Sequence, residues 1–412
     1  MKLFKISVIV LSFFVSLWLL KSPGTGDVEN WLNIIRKIRT TSNDRLFPNC
    51  LNYDCGVFYP LTYPPGHFLI VYFFAKVLPA NVNDFMTFKI SVLVFYWLTF
   101  LSILFFYYQI LSKKKNRLPF INLLLLYLSA VSILINSQVF GYTDVYFLPF
   151  IILSLTLIYT EKFFPAGFFY GISFLIKWQP FIILPVILLY LHLNKKSVIK
   201  FLTGILISIV LLLPLNPKIF QALIYSFVYG AALNNILSNA FNLQWISGFF
   251  YRNFFPDIFG GLINGSLYYL DFRKLEQYRV LFTFPKYIFL LIYLIIILRK
   301  LKQKSFIFRQ FLYVSLIAYS AYFFISSGVH ENHLILAVVL ALMLYISDSS
   351  VKAKIVLRYY DFVNLINLTY FSYVFFYLPA GNFVVSYYFS VPASIILSVI
   401  YVITLMAYLK SA

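Results

Sequence analysis

Residues 87–117 read TFKISVLVFYWLTFLSILFFYYQILSKKKNR. Residues 87–112 carry one charge, Lys89, whereas 113–117 carry four. A spanning helix needs about 20 mostly apolar residues to cross a hydrocarbon core of roughly 30 Å. This stretch is long enough, and a short basic cluster behind an apolar run marks a cytoplasmic end. The chain repeats the pattern. Further apolar runs lie at roughly 4–21, 118–136, 143–160, 163–178, 180–193, 198–214, 284–298, 306–326, 333–347, 361–378 and 384–409. The expected fold class is therefore all-α: a polytopic transmembrane helix bundle of about 12 spans. It is read as a single integral membrane domain over residues 1–412.

The other basic clusters test that count. Lys195, Lys196 and Lys200 follow the sixth run, Arg299, Lys300, Lys302 and Lys304 the eighth, and Lys352, Lys354 and Arg358 the tenth. With Lys2 and Lys5 inside, all of them fall on the cytoplasmic side of a twelve-span chain, whereas one missed span would turn the later ones outward. Both ends are then inside, and 22–86 and 214–283 are long external segments. The first run has no small-x-small site before Pro23 and is read as a retained anchor rather than a cleaved signal peptide.

Composition supports the same class. The chain is 62% hydrophobic and only 11% charged, where a soluble domain carries roughly a quarter charged residues. That excludes a cytosolic enzyme, a disordered tail and a disulfide-stapled miniprotein. The net charge of +20 would suggest nucleic acid in a soluble protein. Here the basic residues sit between spans, so the expected partner is the bilayer, and no nucleic acid.

Most of the 13 carboxylates fall in the external segments or at the outer boundary, which places any acid–base chemistry there. Carboxylates beside a bilayer are costly and functional suspects by default. In Gly24-Thr25-Gly26-Asp27-Val28-Glu29-Asn30-Trp31, the apolar residues from Val28 recur as Trp31, Ile34, Ile35 and Ile38. That spacing predicts an amphipathic helix on the outer membrane surface, with Asp27 at its N-terminus. Asp27 is then a helix cap, a general base at the lipid–water boundary, or both.

Tyr59-Pro60-Leu61-Thr62-Tyr63-Pro64-Pro65-Gly66-His67 is a proline-stiffened turn. Tyr63 either stacks on a sugar or prenyl chain or simply shapes the loop. Asp144 opens a span, as a helix-start acid or as a holder of an acceptor hydroxyl. Lys177, near a span end, either meets a phosphate or snorkels. Arg252 is another external cation. In Gly328-Val329-His330-Glu331-Asn332-His333 the two imidazoles are three residues apart. They fit an anionic oxygen, with Glu331 orienting a ring, or a solvated turn. No third metal ligand is evident. Cys50 and Cys55 share an external loop, where a bridge is possible.

In this order the motifs resemble those of the GT-C superfamily of polytopic glycosyltransferases. They are most similar to the dolichyl-phosphate-glucose glucosyltransferases that extend lipid-linked oligosaccharides. The likeness rests on Gly26-Asp27-Val28-Glu29-Asn30-Trp31, Tyr63-Pro64-Pro65, His330-Glu331-Asn332-His333 and, more weakly, Asn239-Ala240-Phe241-Asn242-Leu243-Gln244-Trp245. Val28 stands where the family has an aromatic, and Asn332 where it has a basic residue. The resemblance implies an inverting hexosyltransferase that uses a polyprenyl-phosphate-linked sugar donor and no metal or other cofactor. Its acceptor would be a glycan, lipid-linked or protein hydroxyl at the extracytoplasmic face of a microbial plasma membrane. Asp27 would be the catalytic base. Glu29, Tyr63, Asp144, Lys177, Trp245, Arg252, His330, Glu331 and His333 would bind substrate, with Asp27 and His330 facing one cavity. A carrier or flippase for lipid-linked sugars is the alternative, and a non-catalytic assembly subunit a third reading.

Overall fold

The computed structural model describes residues 2–40, 63–111, 120–211, 223–224, 226–227, 240–259, 278–303, 306–377 and 384–411. Among them all regular structure is helical. The chain divides into two compact units. The first comprises Met1–Phe181, Lys196–Ala232 and Leu342–Asp361; the second comprises Ile182–Lys195, Leu233–Ala341 and Phe362–Ala412.

The first unit begins with α1 (Lys2–Leu19), α2 (Gly26–Thr40), α3 (Pro65–Val77) and α4 (Asp84–Leu111). Helix α2 is the amphipathic helix read from the sequence. It buries Val28, Trp31, Ile34, Ile35 and Ile38 and exposes Glu29, Asn33 and Arg36. The expectation that its apolar face meets lipid is corrected: that face packs on α3 and α4. Arg39 locks the far end of α2. Its guanidinium donates to Val82 O (2.6 Å), Asp84 Oδ1 (2.9 Å) and Thr87 Oγ1 (2.8 Å), a planar fork serving several acceptors at once. Helix α3 starts at Pro65, the first-turn position where a missing N–H is harmless.

Next come α5 (Phe120–Leu128), α6 (Val131–Leu134), a π turn (Ile135–Val139) and a 3-10 turn (Thr143–Tyr146). The axis bends by 61° between Leu128 and Val131. A break inside an apolar run orphans backbone groups that lipid cannot satisfy. Here Arg358 Nη1 donates to Ser129 O (2.7 Å), and Asp361 Oδ1 accepts from Ser132 N (2.9 Å). Asp361 is thus explained by the break. Helices α7 (Leu148–Tyr159), α8 (Phe163–Ile176) and α10 (Val198–Val210) complete this unit. Gly167 and Gly204 let the α8 and α10 backbones approach so closely that a Cβ at either would overlap the other helix, the small-residue packing common in membranes.

The second unit holds α9 (Leu184–Leu193), α11 (Leu243–Phe254), α12 (Pro256–Phe259), α13 (Arg279–Leu301), α14 (Phe308–Ile325), a 3-10 turn (Glu331–Leu334) and α17 (Val384–Ser411). Helices α15 (Ile335–Asp348) and α16 (Val351–Tyr377) contribute to both units. Phe241, Trp245, Phe371 and Val391 form a core cluster of the second unit.

Four described helices are long and apolar enough to cross a membrane: Asp84–Ile110, Phe308–Ile325, Glu331–Asp348 and Phe389–Lys410. The bent pair Asn122–Leu128 and Val131–Val139 would make a fifth. The expected runs near 143–160, 163–178, 180–193 and 198–214 form shorter apolar helices of 10–17 residues. Proline and lysine bound the first three of these helices. Lys177 ends α8 in extended backbone, and Pro149 and Pro185 each open a new helix. A polytopic helical bundle is the architecture that fits.

Candidate active site

The first unit gathers four of the expected residues. Segment 22–28 seats on the end of the π turn. Ser22 Oγ donates to Val139 O (2.7 Å), and Thr25 N to Phe140 O (3.0 Å). Gly24 and Gly141 both have positive φ, +79° and +70°, and both abut Val28 Cγ2. Lys89 supports the same ledge from α4, donating to Gln138 O. Asp27 is consequently fixed in the first turn of α2, one residue inside the helix rather than before it. It is half-buried, and its carboxylate meets charges but no hydrogen-bond donor among the described residues. A helix N-terminus favours the anion. Burial nevertheless pushes the Asp27 carboxyl above its ordinary value; Lys177 lowers it and Asp144 raises it further.

Lys177 is the buried cation of this cluster. Its Nζ lies 3.4 Å from Asp144 Oδ1 and 4.4 Å from the centre of the Tyr63 ring. Gln179 Nε2 donates to the same Asp144 oxygen at 2.7 Å. Asp144 is fully buried, so both partners are needed to offset its lost hydration. No ion pair joins Lys177 to Asp27. Burial pushes the Tyr63 hydroxyl up to about 12, Lys177 countering and the Asp27 and Asp144 charges adding to it.

An aromatic wall adjoins this cluster. His67 stacks on Trp31 with ring centres 4.5 Å apart, and lies 4.6 Å from Tyr63 and 5.2 Å from Tyr146. Full burial disfavours the His67 imidazolium and holds its proton affinity well down. Gly66 permits this packing, since a Cβ there would come within 2.7 Å of Leu175 O. His67 and Gln179 were missed by the sequence reading. The available signal for Gln179 was its place two residues past Lys177, and for His67 its place directly after the Pro-Pro-Gly start of α3. Glu29 is exposed on α2.

The second unit holds the other expected residues. His330 and His333 form a reciprocal cap: the His333 amide donates to the His330 side chain, and the His330 amide to His333 Nδ1 at 3.3 Å. The Tyr322 hydroxyl lies 3.0 Å from the same Nδ1. A backbone N–H can only donate, so each accepting nitrogen is unprotonated and the other ring nitrogen of each neutral imidazole carries the proton. The turn is stitched down by Asn367 Nδ2 donating to Glu331 O (2.7 Å) and by Gly328 N donating to Gln244 Oε1 (2.8 Å). Asn367 Oδ1 also accepts from Phe241 N (2.9 Å), tying the turn to the start of α11. Trp245 is only 2% exposed and donates through Nε1 to Ser390 Oγ (3.0 Å). It stands in the core cluster, not at an open face. The Arg252 side chain, Cys50, Cys55 and Asn239 lie outside the described residues. No group of His, Cys, Asp and Glu able to hold a metal ion occurs among the described residues.

No curated protein matches the chain significantly. A protein-family profile, glycosyltransferase family 87, matches residues 61–347. The matched region contains Tyr63, Asp144, Lys177, Trp245, His330 and His333 and begins after Asp27. It covers more than half the chain, so the chain belongs to glycosyltransferase family 87, a GT-C-like family of membrane glycosyltransferases.

Proposed function

We propose that this glycosyltransferase moves a hexose from a polyprenyl-phosphate donor to an acceptor hydroxyl at the extracytoplasmic face of the membrane, inverting the anomeric carbon. Asp27 is the general base. It takes the acceptor's O–H proton as the acceptor oxygen bonds to the anomeric carbon. The bond from that carbon to the phosphate oxygen breaks, and its electron pair leaves with polyprenyl phosphate. The observation that carries this reading is the Asp27 carboxylate: half-buried, in a first helical turn, beside a buried lysine, with no described hydrogen-bond donor. A general base needs such a free oxygen, and its raised proton affinity brings it toward the working pH.

Tyr63 supplies an aromatic surface to the substrate. In the second unit, the His330 and His333 N–H groups bind the donor phosphate, where developing charge is best met by preset donors. The further parts of the reading are about 12 spans with both ends cytoplasmic, residence in a microbial plasma membrane and a glucosyl donor of the dolichyl-phosphate type. They are supported by the basic clusters, the shorter apolar helices and the motif likeness.

The test is transfer by purified protein in detergent or vesicles, given polyprenyl-phosphate sugars and a panel of acceptors. Product with inverted configuration supports the proposal. Movement of intact lipid-linked sugar across vesicles without a new glycosidic bond would instead establish the carrier reading.

A further inference from the structure

The cluster around Asp27 contains two carboxylates and one lysine, so formally one negative charge is left over. The lysine does not divide itself evenly. Its Nζ is in ion-pair contact with Asp144, 3.4 Å away, and not with Asp27. Asp144 is fully buried and sits in the 3-10 turn before α7, while Lys177 sits in extended backbone after α8. Gln179 and the Tyr63 ring hold the two ends of the pair. We propose that Asp144 is a positioning residue for the base: it detains the Lys177 ammonium, so that the lysine biases Asp27 toward the anion without closing an ion pair that would quench it. This rests on the reading of Asp27 as the base.

The surroundings support that division of labour. The charges acting on Asp27 are Lys177 and Asp144, with opposite effects. Tyr63 and His67, from the start of α3, are held neutral by burial. On α2 itself Glu29 is exposed. From α4, Lys89 is committed to Gln138 O and Asp84 to Arg39. A carboxylate in direct contact with an ammonium is a weaker base, and Brønsted behaviour makes that a slower one. A carboxylate with no cation nearby would hold its proton too firmly at the working pH.

The signs are opposite for the two substitutions. Asp144→Asn removes a negative neighbour and frees Lys177 to pair with Asp27. The acid limb of the pH–rate profile then moves to lower pH, and the plateau rate falls. Lys177→Met removes the positive neighbour, so the limb moves to higher pH. In the Asp144→Asn/Lys177→Met double variant both charges are gone, and the limb returns toward the wild-type position. The double variant also guards against misfolding, because Lys177→Met alone strands a buried carboxylate.

The experiment is the pH dependence of transfer for these three variants, with Asp27→Asn as control. Infrared difference titration of the Asp27 carboxyl, referenced to Asp27→Asn, reads the same shifts in any variant too slow to assay. If Asp27→Asn is inactive and the limb and titration of folded Asp144→Asn stay at the wild-type position, or the double variant is displaced as far as Asp144→Asn, the inference fails while the base reading stands. If Asp27→Asn transfers at the normal rate, the base reading itself fails.

Discussion

Gly24 and Gly141 press on the same methyl group, and that allows a sharp test of how Asp27 is held. A Cβ on Gly24 would overlap Val28 Cγ2 and come within 3.0 Å of Phe140 O; one on Gly141 would come within 2.7 Å of Val28 Cγ2 and 3.3 Å of Phe88 Cε1. Both glycines also occupy left-handed backbone, which costs a residue with a Cβ about 1–2 kcal/mol. Overpacking adds about 1–3 kcal/mol. Gly24→Ala and Gly141→Ala should therefore each destabilise the protein by about 2–5 kcal/mol, the sum of those two terms. Val28 is buried, so Val28→Ala alone should cost about 1.5–3 kcal/mol. In a Val28→Ala background the shared clash is gone. Gly141→Ala should then cost little beyond its backbone strain of about 1–2 kcal/mol. Gly24→Ala retains its close approach to Phe140 O and should be rescued less. The assay is a double-mutant cycle from equilibrium unfolding in detergent, where coupling between touching residues is about 0.5–3 kcal/mol. Strictly additive losses at both glycines would show that Val28 does not sit between them, and the described seat of the 22–28 segment would be wrong.

Three further outcomes are expected. Burial raises the Asp27 carboxyl above its ordinary value of 3.8, so the folded state binds this proton more tightly than the unfolded chain. Stability from this group is then lost as pH rises above that value, a dependence that Asp27→Asn should abolish in unfolding measured across pH. Transfer has the opposite sign, because the active base is the anion, and should fall as pH drops through the raised value. Trp245→Phe removes the donor to Ser390 Oγ at a buried site and should cost about 1–3 kcal/mol, read as a lower unfolding midpoint. His330→Ala should weaken binding of a polyprenyl-phosphate sugar, measured directly by donor affinity; unchanged affinity would remove His330 from the phosphate role.

Helix α2 was legible because its buried set, Val28, Trp31, Ile34, Ile35 and Ile38, follows a helical period. What covers that set was not legible, since periodicity marks an apolar face without naming lipid or protein. Helix α3 was missed for a related reason. Its 13 residues are too few for a span, and the three prolines before His67 suggested a loop although Pro65 suits a helix start. Asp144 and Lys177 were readable only as separate suspects at span ends, and Gln179 not at all, because residues 35 apart in sequence meet through the packing of α7 on α8. Trp245 shows the converse: a motif position that suggested ligand contact serves the core, where its N–H finds Ser390.

Catalysis by Asp27 is tested most directly by transfer with Asp27→Asn in the same detergent or vesicle assay. A positioned general base contributes about 10²–10⁴-fold, so the variant should fold, bind donor as the wild type does and lose transfer by about that factor. A folded Asp27→Asn protein that forms product at the wild-type rate would contradict the account.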